Sequence, residues 1–226
     1  MKNKDFSIII PSNNFKIQEE IYQHIVFELA EEDKRKVTKF NGADYPSFSK
    51  LLNDCIVSTK TEVVIICSDR CLPYKHDIDN TLNLIEAGYG VVGLYRFGFF
   101  GFTKHLIEKI GFFDEKYVGG GFEDCDFMRR LREANIAYYE REQVWYRPGP
   151  SRWPLDSSFE KNKTYFEAKW HEDNETIKRL KPEPHLDYNL GETPAHNFLP
   201  WKYSTTLPPS EGFRNKKFIN GEKNVF

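Results

Sequence analysis

Three acidic side chains lie close together immediately after a run of three glycines. Glu123, Asp124 and Asp126 follow the glycines at 119–121, at the predicted start of a helix. Glycine lets a substrate approach the backbone closely, and the positive end of a helix favours ionised carboxylates. An ionised carboxylate can act as the general base that removes the proton of a sugar hydroxyl. The pattern indicates either this chemistry or the ordinary acidic bias of a helix start.

Asp69 is a second candidate because it follows an apolar run that is predicted to be a buried strand at 62–67. In open α/β sheets, ligands bind beyond the carboxyl ends of the strands. A carboxylate at that position can hold Mg²⁺ or Mn²⁺, and the cation can neutralise a diphosphate leaving group. The alternative is an aspartate that only caps a helix or stabilises a turn.

Strands and helices alternate along the chain on both sides of these acidic residues. The predicted strands cover 6–10, 36–40, 62–67, 90–95, 136–139 and 143–146, and the predicted helices cover 16–32, 47–57, 77–87, 103–110 and 123–134. The first and third strands are apolar nearly throughout, which is typical of strands buried on both faces. This alternation predicts an α/β domain with a mostly parallel central sheet flanked by helices.

The character of the chain changes near Lys181, so we predict two regions. Residues 1–180 form the α/β domain. Residues 181–226 form an extended, proline-rich arm that packs on the domain or on a partner subunit, which allows a homodimer. Proline interrupts any long helix in this arm, and three aromatic residues would anchor it: Phe198, Trp201 and Tyr203.

Composition and charge are those of an ordinary globular protein, with 39% hydrophobic and 29% charged residues in 226. The formal net charge of −2 argues against strong non-specific binding of nucleic acid. No apolar run approaches the roughly 20 residues of a membrane span, and the first residues lack the pattern of a secretory signal. The four cysteines have no paired metal-ligand spacing, so we expect reduced thiols and a cytoplasmic protein.

Six segments, taken in their order along the chain, carry a resemblance to a known family. They are 7–14, 48–53, 65–69, 111–115, 123–126 with Arg130 and Leu131, and 161–170 with Asn162, Tyr165, Lys169 and Trp170. Together they resemble the large GT-A glycosyltransferase family, which includes many bacterial and viral sugar transferases. The resemblance spans about residues 6–171, and the ordered set is more specific than any one segment.

The resemblance implies a GT-A-like fold and transfer of a sugar, with inversion, from a nucleotide-diphosphate sugar such as a UDP-sugar to an acceptor hydroxyl. It implies that Asp124 is the general base and that Glu123 binds substrate hydroxyls, although the two roles could be exchanged. The implied donor-binding residues are Pro11, Ser12, Asn13, Asn14, Asp44, Lys50, Asn53, Asp69 and Arg70. By residue type, the candidate acceptor-binding residues are Gly120 and Gly121, which leave the backbone open to a substrate, and Trp145, which could stack on a sugar face or pack in the core. The implied cofactor is a divalent cation, Mn²⁺ or Mg²⁺, on Asp69.

Three departures from the family pattern concern the donor side. The metal strand ends in one acidic residue, Asp69, where the family often has Asp-x-Asp, so Arg70 could supply part of the positive charge. The late strand lacks the family's histidine ligand, which leaves His171 either as a substitute ligand or as a surface residue. The strand that contacts the base is abbreviated or missing, and Asp44 could replace its acidic residue.

Two other functions remain open from the sequence. A catalytically weak nucleotide- or carbohydrate-binding module on the same scaffold would also carry a single acid at the metal strand. A nucleotidyltransferase would need a glycine- and lysine-rich phosphate loop after the first strand, which this chain lacks. The acceptor could be a glycan, a protein or a modified nucleobase in DNA. DNA remains a possible acceptor because the sequence contains a basic patch. The patch consists of Lys161, Lys163, Lys169, Arg179 and Lys181.

Overall fold

The computed structural model describes residues 5–34, 36–94, 98–141 and 156–170. Within these ranges the strands are β1 Phe6–Ser12, β2 Val37–Asn41, β3 Val63–Cys67, β4 Val91–Leu94, β5 Phe99–Thr103 and β6 Tyr138–Arg141. The helices are α1 Phe15–Glu28, α2 Glu31–Lys34, α3 Phe48–Ser58, α4 Lys75–Glu86, α5 Lys104–Ile110, α6 Glu123–Glu133 and α7 Asp156–Trp170.

All six described strands belong to one sheet in the order β2-β1-β3-β5-β4-β6. β1 pairs in parallel with β2 and β3, and β4 pairs in parallel with β6. Only β5 runs in the opposite direction, between β3 and β4. The prediction of an α/β fold with a mostly parallel sheet is therefore confirmed.

β5 is not predicted from the sequence, because glycines interrupt its phenylalanine-rich run and a glycine in a strand argues against a regular pattern. The structure gives Gly101 a packing reason. A β-carbon on Gly101 would lie 2.6 Å from Cγ2 of Thr81, so the missing side chain lets α4 pack closely on the strand. The neighbouring Phe100 and Phe102 are fully buried.

Helices cover both faces of the sheet, which explains the apolar strands. On one face Ile9 packs with residues of α3, α5 and α6. On the other face Ile8 and Ile10 pack with residues of α1 and α4. Successive residues of β1 therefore enter opposite cores, and neither face of this strand can be polar.

Several predicted boundaries need correction. α1 ends at Glu28 rather than near residue 32, because Leu29 is extended (φ −92°, ψ 152°) and α2 then forms a separate turn. α7 is not predicted as a helix at all. The predicted strand at 143–146, with Trp145, lies outside the described residues, as do His171 and the predicted arm at 181–226.

The described residues include Cys55, Cys67, Cys71 and Cys125, and all four are free cysteines. No helix in the described ranges is long and apolar enough to span a membrane.

Candidate active site

Ser12 and Asp69 meet at the carboxyl edge of the sheet. β1 and β3 are parallel neighbours, so the residues that follow them emerge side by side. The hydroxyl of Ser12 donates a hydrogen bond of 2.9 Å to Oδ2 of Asp69. Two residues that are 57 positions apart, both predicted to bind the donor, therefore lie in contact.

The turn after β1 is ordered by its own side chains. The Ser12 hydroxyl accepts a hydrogen bond from the Asn14 backbone N–H at 3.0 Å. The Asn14 side chain caps α1 by accepting from the Ile17 N–H at 3.1 Å. Pro11 is buried and Asn13 is half-buried. Of the four predicted residues here, Asn14 is already used as a helix cap.

A cleft of about 330 Å³ opens between the start of α3 and the loop before α6. Its lining consists of Asp44, Tyr45, Pro46, Ser47, Lys50, Glu115 and Val118. The segment that precedes this lining is tied to the Ser12 edge at Gly42, whose N–H donates to the Ser12 carbonyl at 2.8 Å. A β-carbon on Gly42 would lie 2.7 Å from Cδ2 of Leu51, so the missing side chain lets this segment pack closely against α3.

Lys50 shares its charge with two carboxylates. Its Nζ lies 2.6 Å from Oδ1 of Asp54 and 3.9 Å from Oε1 of Glu115. The hydrogen bond to Asp54 raises the pKa of Lys50. Lys50 is thus a cleft residue, as predicted, but its cation is largely balanced within the protein.

Asn53 has a structural role that differs from the predicted donor contact. Its side chain is buried and donates to the Phe113 carbonyl at 2.8 Å and to Oε1 of Glu115 at 2.9 Å. Its Oδ1 accepts from the Phe113 N–H at 2.9 Å. Both amide hydrogens are used, so Asn53 anchors the loop that carries Glu115 and has no donor left for a nucleotide.

The glycine run connects the acidic block, which consists of Asp114, Glu123, Asp124 and Asp126, to the residues at the start of α3. The Gly119 carbonyl accepts from the Phe48 N–H at 2.7 Å, and the Gly119 N–H donates to the Pro46 carbonyl at 3.1 Å. Gly120 is buried and Gly121 is half-buried, with α6 beginning two residues later at Glu123. The start of α6 is therefore attached by backbone hydrogen bonds to the start of α3.

The three acidic residues of α6 have different environments. Asp126 is fully buried and accepts from Nε1 of Trp170 at 2.9 Å and from Nε of Arg130 at 3.0 Å. It is a core residue and not part of an acidic site. Asp124 is half-buried, and its Oδ1 accepts from the Cys125 N–H at 2.8 Å.

Glu123 corrects the expectation that this helix end keeps its carboxylates ionised. The residue is half-buried, but its Oε2 is shielded from solvent and has no hydrogen-bond partner among the described residues. Burial, followed by the charge of Asp124, raises the pKa of Glu123 to about 8. Loss of hydration therefore outweighs the favourable helix end. Glu123 is mainly protonated at neutral pH.

Residues of α7 close the other side of the acidic block. The ammonium of Lys169 contacts Asp114 and lies 3.0 Å from Oδ1 of Asp126. Tyr165 donates from its hydroxyl to Asp114 at 2.9 Å. Lys169 is therefore buried in an ion-pair network and does not belong to the predicted basic patch. The resemblance of 161–170 to the family was the only sequence signal for these contacts.

The donor set for a divalent cation is small. Among the residues that the structure describes, no three His, Cys, Asp or Glu side chains cluster closely enough to hold a metal ion. Asp69 offers a carboxylate whose Oδ2 already accepts from Ser12, while Arg70 is half-buried beside it. This set fits a Mg²⁺ or Mn²⁺ ion only if diphosphate and water supply most of its ligands, as is common for Mg²⁺.

The sequence matches no protein-family model and no curated protein. A Drosophila β-1,4-galactosyltransferase 7 mutant in complex with manganese, UDP-Gal and xylobiose is 18% identical, with a TM-score of 0.46. That alignment covers 61% of this chain and 65% of the other. Glucosyl-3-phosphoglycerate synthase from Mycobacterium tuberculosis, in complex with Mn²⁺, UDP and glucosyl-3-phosphoglycerate, is 10% identical, with a TM-score of 0.48. That alignment covers 71% of this chain and 77% of the other.

A third solved structure, a CMP-2-keto-3-deoxy-manno-octonic acid synthetase complexed with CTP, is 10% identical, with a TM-score of 0.42. It aligns with 73% of this chain and 100% of its own. All three likenesses are distant, and none of them identifies the function of this chain.

Proposed function

We propose that this protein is a GT-A-like glycosyltransferase that moves a sugar from a nucleotide-diphosphate sugar to an acceptor hydroxyl with inversion. The observation that carries this proposal is the contact of Ser12 with Asp69 at the carboxyl ends of parallel strands. Ligands of open α/β sheets bind at this edge. The Gly42 N–H donates to the Ser12 carbonyl and the Gly119 N–H donates to the Pro46 carbonyl, which links this edge to the glycine run that precedes α6.

Asp124 and Glu123 take separate roles in this mechanism. Asp124 accepts the proton of the acceptor hydroxyl as its oxygen forms a bond to the anomeric carbon. The bond from that carbon to the diphosphate breaks on the opposite side, and its electron pair leaves with the nucleotide diphosphate. Glu123, whose pKa is raised to about 8 mainly by burial, donates a hydrogen bond to a substrate oxygen in its protonated form.

The donor side is assigned to the edge formed by 11–14, Asp69 and Arg70, with Asp44 and Lys50 in the adjoining cleft. A divalent cation held by Asp69 would supply positive charge to the leaving diphosphate. Arg70 contributes positive charge to the same group. UDP-sugars are the donors to test first, and the acceptor is a glycan, a protein or a modified nucleobase. The reducing cytoplasm fits the free thiols.

A panel of nucleotide sugars, with and without Mn²⁺, tests this function directly. The protein is incubated with each donor, and thermal unfolding is followed together with release of the nucleotide diphosphate. Binding raises the unfolding temperature because the ligand stabilises only the folded state. We expect at least one donor to produce both a shift and slow release. Failure of every donor in both measurements would contradict the proposal.

Asp69→Asn tests the metal assignment. Asparagine keeps an oxygen that can accept from Ser12 but removes the negative charge that holds a cation. We expect the Mn²⁺-dependent part of the thermal shift to disappear and the transfer rate to fall by about 100-fold. Asp79→Asn on the surface of α4 is the control and should retain both. An unchanged response to Mn²⁺ in the Asp69 variant would show that the cation binds elsewhere.

Glu123→Gln tests the protonation of the shielded acid. The pKa of Glu123 is raised from 4.5 to about 8, so its contribution to stability is complete below the lower value and is lost as pH rises through the higher one. The unfolding temperature of Glu123→Gln should therefore rise relative to wild type between about pH 5 and pH 9. Thermal scans across that range measure the difference. Glu160 is exposed, and Glu160→Gln is the control. An equal pH trend in both variants would show that the pKa of Glu123 is not raised in the folded protein.

A catalytically weak binding module is the second candidate, because only one carboxylate is available at the metal strand and no three-ligand cluster occurs in the described ranges. It predicts a thermal shift without turnover. Hydrolysis of the bound donor in the absence of acceptor separates the two functions. Measurable hydrolysis that requires Asp124 would favour the transferase.

A further inference from the structure

The loop at 118–122 has an unusual backbone. Gly119 and Gly121 have positive φ angles of 67° and 105°, and Phe122 has a φ of 72°. The left-handed region is unfavourable for a residue with a bulky side chain. Such a conformation persists only when the surrounding structure holds it. Since Glu123 follows directly, whatever holds this loop also sets the start of α6.

Asn162 on α7 makes four hydrogen bonds to this loop. Its Nδ2 donates to the Val118 carbonyl at 2.9 Å, to the Gly121 carbonyl at 3.1 Å and to the Gly120 carbonyl at 3.3 Å. Its Oδ1 accepts from the Val118 N–H at 3.1 Å. Asn162 is 2% exposed and Gly120 is buried, so the loss of the Asn162 amide would leave the Gly120 carbonyl without this partner in the interior.

Two aromatic side chains on the same face of α7 support the strained residue. The ring of Phe122 lies 5.1 Å from that of Phe159 and 5.5 Å from that of Phe166. A β-carbon on Gly121 would lie 3.0 Å from Cδ2 of Phe159, so the loop also packs tightly against the helix. Phe159 and Phe166 lie three and four positions from Asn162 on α7. They hold the side chain of Phe122, while Asn162 holds the backbone of the loop.

The opposite side of the loop is fixed to α3. Gly119 exchanges backbone hydrogen bonds with Phe48 and Pro46, which border the cleft. The loop therefore lies between two fixed elements, the start of α3 on one side and α7 on the other. We infer that Asn162 is a positioning residue that sets Glu123 and Asp124 against the cleft, an inference that rests on the function proposed above.

Asn162→Ala tests this role with two measurements. The maximal transfer rate should fall by about 10- to 100-fold, since a small misplacement of the base has an effect of that size. The dissociation constant of the nucleotide-sugar donor should stay within about threefold of wild type. Hydrogen exchange of the amides at 118–123 should become faster. Thr164→Ala, on the exposed face of α7, is the matched control and should leave all three unchanged.

A second variant separates positioning from a general loss of folding. Asn162→Asp keeps the oxygen that accepts from Val118 but loses the three donated bonds, so it too should accelerate exchange at 118–123. Donor-binding stoichiometry measures the folded fraction in each variant. The inference is overturned if the rate per folded molecule stays within about threefold of wild type, or if loop exchange is unchanged. If the wild-type protein transfers no sugar, the proposed function fails, and loop exchange alone decides whether Asn162 holds the loop.

Discussion

Asp124→Asn is expected to abolish nearly all sugar transfer while leaving donor binding intact. An amide cannot accept the proton of the acceptor hydroxyl, so we expect the maximal rate to fall by about 1000-fold or more. The Asn side chain can still accept from the Cys125 N–H, as Asp124 does at 2.8 Å, which preserves the start of α6. The dissociation constant of the donor should remain within about threefold. Transfer kinetics and a donor titration measure the two quantities.

Cys125→Ser is the control for the Asp124 variant. Cys125 is exposed and adjacent in the chain, and its N–H is retained by serine. It should transfer sugar at a rate close to wild type. Normal transfer by Asp124→Asn would show that another group is the base. Loss of donor binding in the same variant would show that Asp124 belongs to the donor side.

Lys169→Met is expected to produce the largest loss of stability. Asp114 and Asp126 are fully buried, and the lysine that contacts both is only 7% exposed. Removing the cation leaves two buried carboxylates with reduced compensation, which typically lowers the free energy of unfolding by about 3–5 kcal/mol. Urea denaturation of both proteins measures this difference.

Lys163→Met is the matched control on the same helix. Lys163 forms a pair of 4.0 Å with Glu167, and both side chains are 46% exposed. Surface pairs contribute little, so the change should stay within about 0.5 kcal/mol. If the Lys169 variant differs from wild type by no more than this control, the buried network does not stabilise the fold.

The order of the elements follows from local patterns, and the sequence predicts it well. Continuous apolar runs mark β1 and β3, and helical spacing marks α1 and α3. Asp69 is recognisable because it directly follows such a run, and parallel neighbours must end at one edge. The contact between Ser12 and Asp69 is a consequence of topology that the sequence makes foreseeable.

What the sequence leaves hidden depends on tertiary contacts. β5 is hidden because Gly101 has a packing role that only the approach of α4 reveals. Asn53 and Asp126 are residue types that often bind ligands, yet in this fold their side chains form buried hydrogen bonds with other protein groups. The raised pKa of Glu123 arises from burial, which no local pattern records. Residue type and spacing predict a candidate site, but burial decides which acids remain available to a substrate.

The fifteen residues of α7 lie far from Asp69 in the chain, yet they complete the environment of the acidic block. This one helix supplies hydrogen-bond donors to Asp114, to Asp126 and to the glycine run. The smallest unit that keeps these contacts therefore extends to Trp170. A shortened protein that stops before residue 156 would retain every strand described here but would lose the support of its acidic residues.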